Sequence, residues 1–165
     1  MKKIISTLAL VSLSMASSFS AQAENGGLDA NNFFVGGGIG FNSLPGYGSS
    51  RGFQFFGGYQ FDFKINDDIT SALELGYMDS GDFDQYNGRS SNEDAKGLWL
   101  AALESVPLSS KTDMLVRLGI DFGDDDGVLL GTGLQYKFNT KLGLRMEYIA
   151  RQNVDSLQAN VYVKF

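Results

Sequence analysis

Apolar and polar residues alternate along the end of the chain. Val161, Val163 and Phe165 are apolar, whereas the intervening Tyr162 and Lys164 can form hydrogen bonds. This period of two is typical of a β-strand with one apolar and one polar face. Seven more segments show the same alternation or an apolar run, so we predict eight strands, at residues 32–42, 52–63, 69–79, 95–106, 112–122, 128–138, 142–151 and 156–165.

The length of these segments indicates a protein that crosses a membrane with strands. Each holds about 9 to 12 residues, which is the length of a tilted transmembrane strand. No apolar run after Ala23 approaches the roughly 20 residues that a spanning helix needs. Clusters of Gly, Asn, Asp and Ser, which are typical of turns, separate the segments. The pattern predicts an all-β, eight-stranded antiparallel up-and-down transmembrane β-barrel.

The polar face helps to decide between two architectures. A soluble sandwich or lipocalin-like barrel turns its apolar face inward, whereas a transmembrane barrel turns that face to lipid and its charges to the lumen. Here the polar face combines glycines with near-balanced charges, and the interior of eight strands has room only for side chains that pair with one another. The charged members are Arg117, Lys137, Arg145, Arg151, Lys164, Asp62, Glu74, Glu104, Asp121 and Glu147.

The aromatic residues of the apolar face gather near the strand ends. Two aromatic belts around an aliphatic band fit a bilayer with two interfaces, so we place this face against lipid. A soluble lipocalin-type binder in the periplasm is the alternative fold. The segment 95–106 is apolar on both faces, and we assign Trp99 to the outer wall because this places Glu104 in the lumen. The belts comprise Phe33, Phe61, Phe63, Phe138 and Phe165 at one rim, and Phe41, Phe53, Tyr77, Phe122 and Tyr148 at the other.

Residues 1–23 have the features of a secretory signal peptide. Lys2 and Lys3 precede a short apolar core, and a small-residue cleavage site ends at Ala23. The alternative, a retained N-terminal anchor, is disfavoured because the apolar core is short and rich in serine. Cleavage before Glu24 leaves residues 24–165 as the barrel, with 11 cationic and 19 acidic side chains and a net charge of −8. This acidic balance argues against nucleic acid as a partner.

The composition also argues against enzymatic chemistry. The chain has no cysteine and no histidine, so it lacks thiolate chemistry, the usual general base and the usual metal ligand. A lipid-modifying enzyme that uses a serine–lysine pair is the catalytic alternative that this composition leaves open.

The acidic run at 124–126 lacks the spacing of a calcium loop and is read as a charged turn. The glycines at 35–40 are read as part of a strand, because the helix that a phosphate loop requires does not follow. We predict neither a cofactor nor a metal.

Two stretches of the chain resemble a known family. The stretch "GTGLQYKFNTKLGLRMEYIARQNVDSLQANVYVKF" (131–165) and the stretch "ALELGYMDSGDF" (72–83) resemble strands of the OmpA-like and opacity-protein-like outer-membrane barrels. The terminal pattern with Tyr162, Val163 and Phe165 resembles the signal that the barrel assembly machinery reads. Larger members continue into a periplasmic domain that binds peptidoglycan, so wall anchoring is not expected of a chain that ends at Phe165.

The resemblance implies a monomer in the outer membrane of a Gram-negative bacterium. Its expected partners are outer-membrane lipid, lipopolysaccharide, periplasmic chaperones during assembly, and a host, phage or cell-surface ligand. Stand-alone members of the family act in membrane integrity, in surface interaction or adhesion, and in some cases as a narrow channel.

The inward charges are the sharpest candidates for function. We predict a lumen charge network whose rearrangement opens a small pore, and the simpler interpretation is a satisfied polar core that fills the lumen. The predicted network comprises Glu74, Glu104, Arg117, Asp121, Lys137, Arg145 and Glu147.

The loops at 43–51 and 80–94 are predicted to face the cell exterior, because the turns at the other end are short. The longer loop carries exposed Phe83 and Tyr86 and a single cation, Arg89. It is a candidate contact surface for host, phage or neighbouring cells, and a solvated loop without a partner is the alternative. The leading predicted function is therefore structural or adhesion-like surface interaction, and a narrow passive pore is the alternative.

Overall fold

The described residues form eight β-strands that follow one another, and no helix lies between these strands within the described part of the chain. The computed structural model describes residues 28–65, 69–83 and 94–165. Among these residues, no helix has the length and apolar character needed to cross a membrane. The elements are a 3-10 turn at Ala30–Asn32 and the strands β1 Phe33–Ser43, β2 Ser49–Ile65, β3 Ile69–Asp79, β4 Lys96–Pro107, β5 Thr112–Gly123, β6 Gly127–Lys137, β7 Leu142–Ala150 and β8 Asp155–Lys164.

The strands form one closed barrel. Each strand pairs antiparallel with its neighbour in the chain, and β1 pairs with β8 from Phe34↔Lys164 to Ser43↔Asp155. Closure leaves no edge strand, which matters in hydrocarbon because an unpaired N–H or C=O group there costs several kcal/mol. The predicted up-and-down barrel is confirmed.

The alternation of exposure along each strand shows which face looks outward. In β6, Leu134 is 52 % exposed whereas the next residue, Gln135, is 7 % exposed. Large apolar side chains cover the outer wall of all eight strands, and most buried polar and charged residues lie inside. An outer wall of this kind is stable against lipid and not against water, so the transmembrane architecture holds and the lipocalin-like alternative is wrong.

Aromatic rings fill the lumen together with the polar groups. Phe34, Phe56, Trp99 and Tyr162 are all buried inside the barrel. Glycines on neighbouring strands make room for them, since a Cβ at Gly76, for example, would collide with the Trp99 ring. The lumen is therefore a packed core of mixed chemistry rather than the purely polar interior that the alternation predicted.

The predicted facing of β4 is wrong in both of its parts. Trp99 is 1 % exposed and lies in the lumen, where its ring packs near Phe56. The register of β4 runs without a bulge against both neighbours, so Glu104 falls on the opposite face, the outer wall. Local alternation could not settle this strand, because both of its faces are apolar over most of their length.

Glu104 on the outer wall is nevertheless covered. It is 1 % exposed, and its two carboxylate oxygens accept hydrogen bonds from the Ser71 hydroxyl at 3.0 and 2.8 Å. A β-bulge of β2, between Gln60 and Lys64, lies opposite Ser71. Glu104 thus belongs to a polar pair in the outer wall and not to the charges of the lumen.

Candidate functional site

Four charged side chains cross the lumen and contact one another. Arg117 donates from Nε to Glu147 Oε1 at 3.0 Å and from Nη2 to Glu147 Oε2 at 3.1 Å. Its Nη1 lies 2.7 Å from Glu74 Oε2, an ion pair outside hydrogen-bond alignment, and the other oxygen of Glu74 accepts from Arg145. We call Glu74, Arg117, Arg145 and Glu147 the lumen network.

The lumen network connects three walls of the barrel. Glu74 comes from β3, Arg117 from β5, and Arg145 and Glu147 from β7. All four are less than 5 % exposed. Two cations face two anions, so the cluster has no net charge, which is the condition under which a buried ionic group is tolerated.

Aromatic rings surround both guanidinium groups of the lumen network. The Arg117 guanidinium lies 4.9 Å from the centroid of the Trp99 ring. Arg145 lies 4.5 Å from the Tyr162 ring centroid and 5.2 Å from that of Phe34. Cation–π contacts of this kind hold a desolvated guanidinium in place. They also close the remaining space around the ions.

The other predicted lumen charges form separate pairs. Lys137 binds Asp113 at 2.8 Å, and Asp121 accepts from Arg151 Nε at 3.0 Å. Gln135 joins the first pair to the lumen network, because it donates to Asp113 and accepts from Arg145 Nε. The sequence prediction missed the connecting role of Asp113 and Gln135. Their inward position in the alternation was the signal that could have identified them.

A polar vestibule lies between the lumen network and the end of the barrel that bears the short turns. Its volume is about 240 Å³, and Arg145 and Leu103 line it together with Lys137, Thr70 and Ser105. By the usual loop asymmetry of outer-membrane barrels, the end with the short turns faces the periplasm. The vestibule therefore opens to the periplasm and ends at the lumen network.

The extracellular end is capped by apolar packing. Phe83 and Val154 are each 1 % exposed and belong to the same buried cluster as Ala95, against which Leu44 packs. The predicted exposure of Phe83 is therefore wrong, because its ring is buried in this cluster. Tyr86 and Arg89 lie outside the described residues.

The predicted charged turn at 124–126 is held by its own carboxylates. Asp125 accepts hydrogen bonds from the backbone N–H groups of Asn153 and Val154 at 2.9 and 3.0 Å. Asp124 accepts from the Lys96 N–H and Asp126 from the Gly123 N–H. These bonds tie the connections between the strands together. Within the described residues, no group of three or more acidic side chains is arranged to hold a metal ion.

The residues of the predicted assembly signal lie at the closing seam. Val163 is exposed on the outer wall and Tyr162 is buried in the lumen, as their alternation requires. Phe165 is 58 % exposed, and its N–H donates to the Phe33 carbonyl at 3.1 Å. Phe165 therefore places an aromatic ring on the outside of the barrel at the periplasmic end.

A family model decides the relationship of this chain to known proteins. The model of the OmpA-like transmembrane domain matches residues 24–163. This chain belongs to the OmpA-like transmembrane domain family. It is therefore a small β-barrel of the bacterial outer membrane, as its fold and its resemblance predicted.

Solved structures with the same fold include natural and designed barrels. A de novo designed transmembrane β-barrel aligns at a TM-score of 0.54 with 16% identity, over 83% of this chain and 98% of that one. Neisserial surface protein A aligns at 0.50 with 21% identity, over 81% and 97%. Ail, the attachment invasion locus protein of Yersinia pestis, aligns at 0.50 with 14% identity, over 80% and 94%. Among curated proteins, none matches this chain.

Proposed function

We propose that this barrel acts at the cell surface, as an adhesion-like or structural protein whose extracellular connections meet the partner. The observation that carries the proposal is the closed lumen: the lumen network and its aromatic rings fill the barrel at mid-depth. Because the lumen network and its rings occupy the interior at this depth, we assign contact with another molecule to the extracellular end. The proposal assigns no catalysis to the barrel.

The charge of the extracellular end indicates the kind of partner. Among the described cations at this end, Lys96 pairs with Asp79 and Asp94, and Arg151 pairs with Asp121. Arg51 lies 5.8 Å from the centroid of the Phe41 ring, and the described aspartates outnumber these three cations. An uncompensated acidic surface attracts cationic partners and repels polyanions such as sulfated polysaccharides. Besides Asp121, the described aspartates at this end are Asp79, Asp82, Asp94, Asp124, Asp125, Asp126 and Asp155.

A charge reversal at this end tests the proposal. Bacteria that display the barrel should bind fluorescent polylysine more than cells without it, and added salt should weaken the binding through screening. The double variant Asp82→Lys with Asp94→Lys should lose most of this difference. The control is Asp29→Lys, which places one substitution of the same kind at the periplasmic end. Equal binding by the wild type and the double variant would contradict the proposal.

A narrow pore is the second candidate, and the polar vestibule is the observation in its favour. Within the part of the chain that the structure describes, the lumen network and the packing above it separate the vestibule from the cell exterior. Planar-bilayer recordings test the two candidates against each other. The recordings use folded barrel, which is recognised because its unboiled and boiled samples migrate differently on a gel. A bilayer without current steps supports the surface role, whereas reproducible single-channel steps would show that the lumen conducts ions and would favour the pore.

Processing and assembly belong to the same proposal. Residues 1–23 are removed as a signal peptide during export, and the pattern with Tyr162, Val163 and Phe165 is read by the assembly machinery after chaperones have delivered the chain. The mature barrel is a monomer surrounded by outer-membrane lipid and lipopolysaccharide. N-terminal sequencing of barrel taken from outer membranes should begin at Glu24, and a start at Met1 would contradict the processing step.

A further inference from the structure

The outer wall is not evenly convex. A groove of about 740 Å³ runs over β1 to β4 and reaches the periplasmic end of the barrel. Gly57 forms its floor, Phe33 and Phe165 lie at its periplasmic mouth, and Leu75 and Leu100 lie at its other end. The lining is almost entirely apolar.

Gly57 creates the groove because it is an outward position without a side chain. It pairs with Val35 on one side and Leu75 on the other, and both of these residues face outward. A Cβ at Gly57 would have no atom closer than 3.8 Å, so the space above it is open. By contrast, the space beside the inward Gly76 is occupied by the Trp99 ring.

Two aromatic pairs flank Gly57 along the outer face of β2. Phe55 stacks on Tyr77 with ring centroids 5.4 Å apart, and Phe33 packs edge-on against Tyr59 at 4.9 Å. Phe55 and Tyr59 stand two residues to either side of Gly57 on the same face of β2. Phe33 and Tyr59 line the groove, and the Phe55–Tyr77 pair stands beside it.

The depth of the groove corresponds to one leaflet of the bilayer. Leu75 lies six residues beyond Ile69, where β3 starts at the periplasmic end. Six residues rise about 20 Å along the strand, or about 14 Å along the membrane normal at a tilt near 45°. The hydrocarbon core is about 30 Å thick, so the groove opens at the periplasmic interface and ends near the bilayer midplane.

This shape favours a single chain over a second barrel. A second copy of this chain would present a convex wall, which cannot fill a concave groove one residue wide. A lipid of the outer leaflet would stop at the midplane and not enter it. We propose that the groove binds one acyl chain of a phospholipid of the periplasmic leaflet, held at a fixed site on the barrel.

The mouth of the groove indicates the headgroup. Asp29 precedes Ala30 of the lining, and its Oδ1 accepts hydrogen bonds from the Asn31 N–H at 2.9 Å and the Asn31 side-chain amide at 2.8 Å. These bonds hold the pKa of Asp29 below its usual range, so its carboxylate is ionised at neutral pH. A headgroup with an ammonium group, such as ethanolamine, complements this negative charge. A glycerol headgroup leaves the lipid anionic, so the Asp29 carboxylate would repel it.

Native mass spectrometry of the folded barrel tests the site. The barrel is equilibrated with equal amounts of phosphatidylethanolamine and phosphatidylglycerol that carry the same acyl chains. Wild type should keep one lipid at a collision energy that strips the others, and that lipid should be predominantly phosphatidylethanolamine. Gly57→Leu fills the groove and should reduce retention several-fold, whereas the control Ala159→Leu, on the outer wall of β8, should not.

Each result decides one part of the proposal. Equal retention of lipid by the wild type and by Gly57→Leu would overturn the proposed lipid site in the groove. Loss of every lipid from the wild type would also overturn it. Equal retention of the two lipids would overturn the headgroup assignment, which Asp29→Asn tests separately by abolishing the preference. If Gly57→Leu does not fold to a heat-modifiable band, Val35→Phe fills the groove from β1 and carries the same expectation. The surface role does not depend on these outcomes.

Discussion

The position of a single residue in this barrel depends on its contacts as well as on the alternation of apolar and polar residues along its strand. Glu104 shows this most clearly, because a carboxylate in the outer wall is acceptable only with compensation. The Ser71 hydroxyl contacts both of its oxygens, and both residues are buried. The two residues therefore act as a unit, and removing one of them should lower the free energy of unfolding more than removing both.

Ser71→Ala should lower the free energy of unfolding by about 1 to 3 kcal/mol, because it removes the hydrogen bonds that the Ser71 hydroxyl donates to a buried carboxylate. The double variant Ser71→Ala with Glu104→Leu should recover most of that loss, since an apolar pair suits the outer wall. Urea unfolding of the barrel in detergent or lipid vesicles measures both values. Additive losses in the double variant would show that the two residues act independently.

The inward side chains of a strand depend on the strands opposite it, and the residue pattern of that strand alone does not predict all of them. β6 and β7 alternate almost regularly, and their outward faces were predicted correctly from the sequence. Phe56, Leu115 and Leu129 interrupt the polar face of their strands, and the alternation gave no sign that the lumen would bury them. An inward apolar side chain is stabilised by the opposite wall, and the period of a single strand contains no information about that wall.

The close packing of glycines against rings is a property of paired strands. Gly76→Val should destabilise the barrel by about 1 to 3 kcal/mol, because the added side chain overlaps the Trp99 ring. Gly57→Val is the matched control on the outward face of the adjoining strand, and it should leave stability unchanged or raise it, since valine favours strands. Equal effects of the two substitutions would show that inward packing does not set the requirement for glycine.

At the scale of the whole molecule, the sequence predicted the barrel, its wall and most of its connections. It also indicated the four members of the lumen network, although the order of their contacts required the structure. Arg145 and Glu147 are near neighbours on β7, yet each forms its ion pair with a residue of another strand. The pairing depends on which strands face each other across the lumen, and that is set by closure and stagger of the barrel.

Glu147→Ala should be strongly destabilising, by about 3 to 5 kcal/mol, because it leaves Arg117 with part of its charge uncompensated in a buried site. Glu147→Gln keeps the shape and a hydrogen-bond acceptor and should cost less. Urea unfolding gives the stabilities, and ion flux into vesicles measures any opening of the lumen. If Glu147→Ala changes neither, the lumen network is not what closes the barrel.

The seam between β1 and β8 constrains the order of events during folding. Phe34 pairs with Lys164 across the longest separation that two strands of this chain can have, so the entropic cost of closing this contact is the largest in the barrel. Until β8 arrives, β1 and β7 each have one edge without a partner, and hydrocarbon penalises such an edge heavily. A partly built barrel is therefore unstable in the bilayer, and insertion must be nearly simultaneous with completion. The proposed role of the assembly machinery would then be to shelter two open edges for the time that the last strand takes to reach the first.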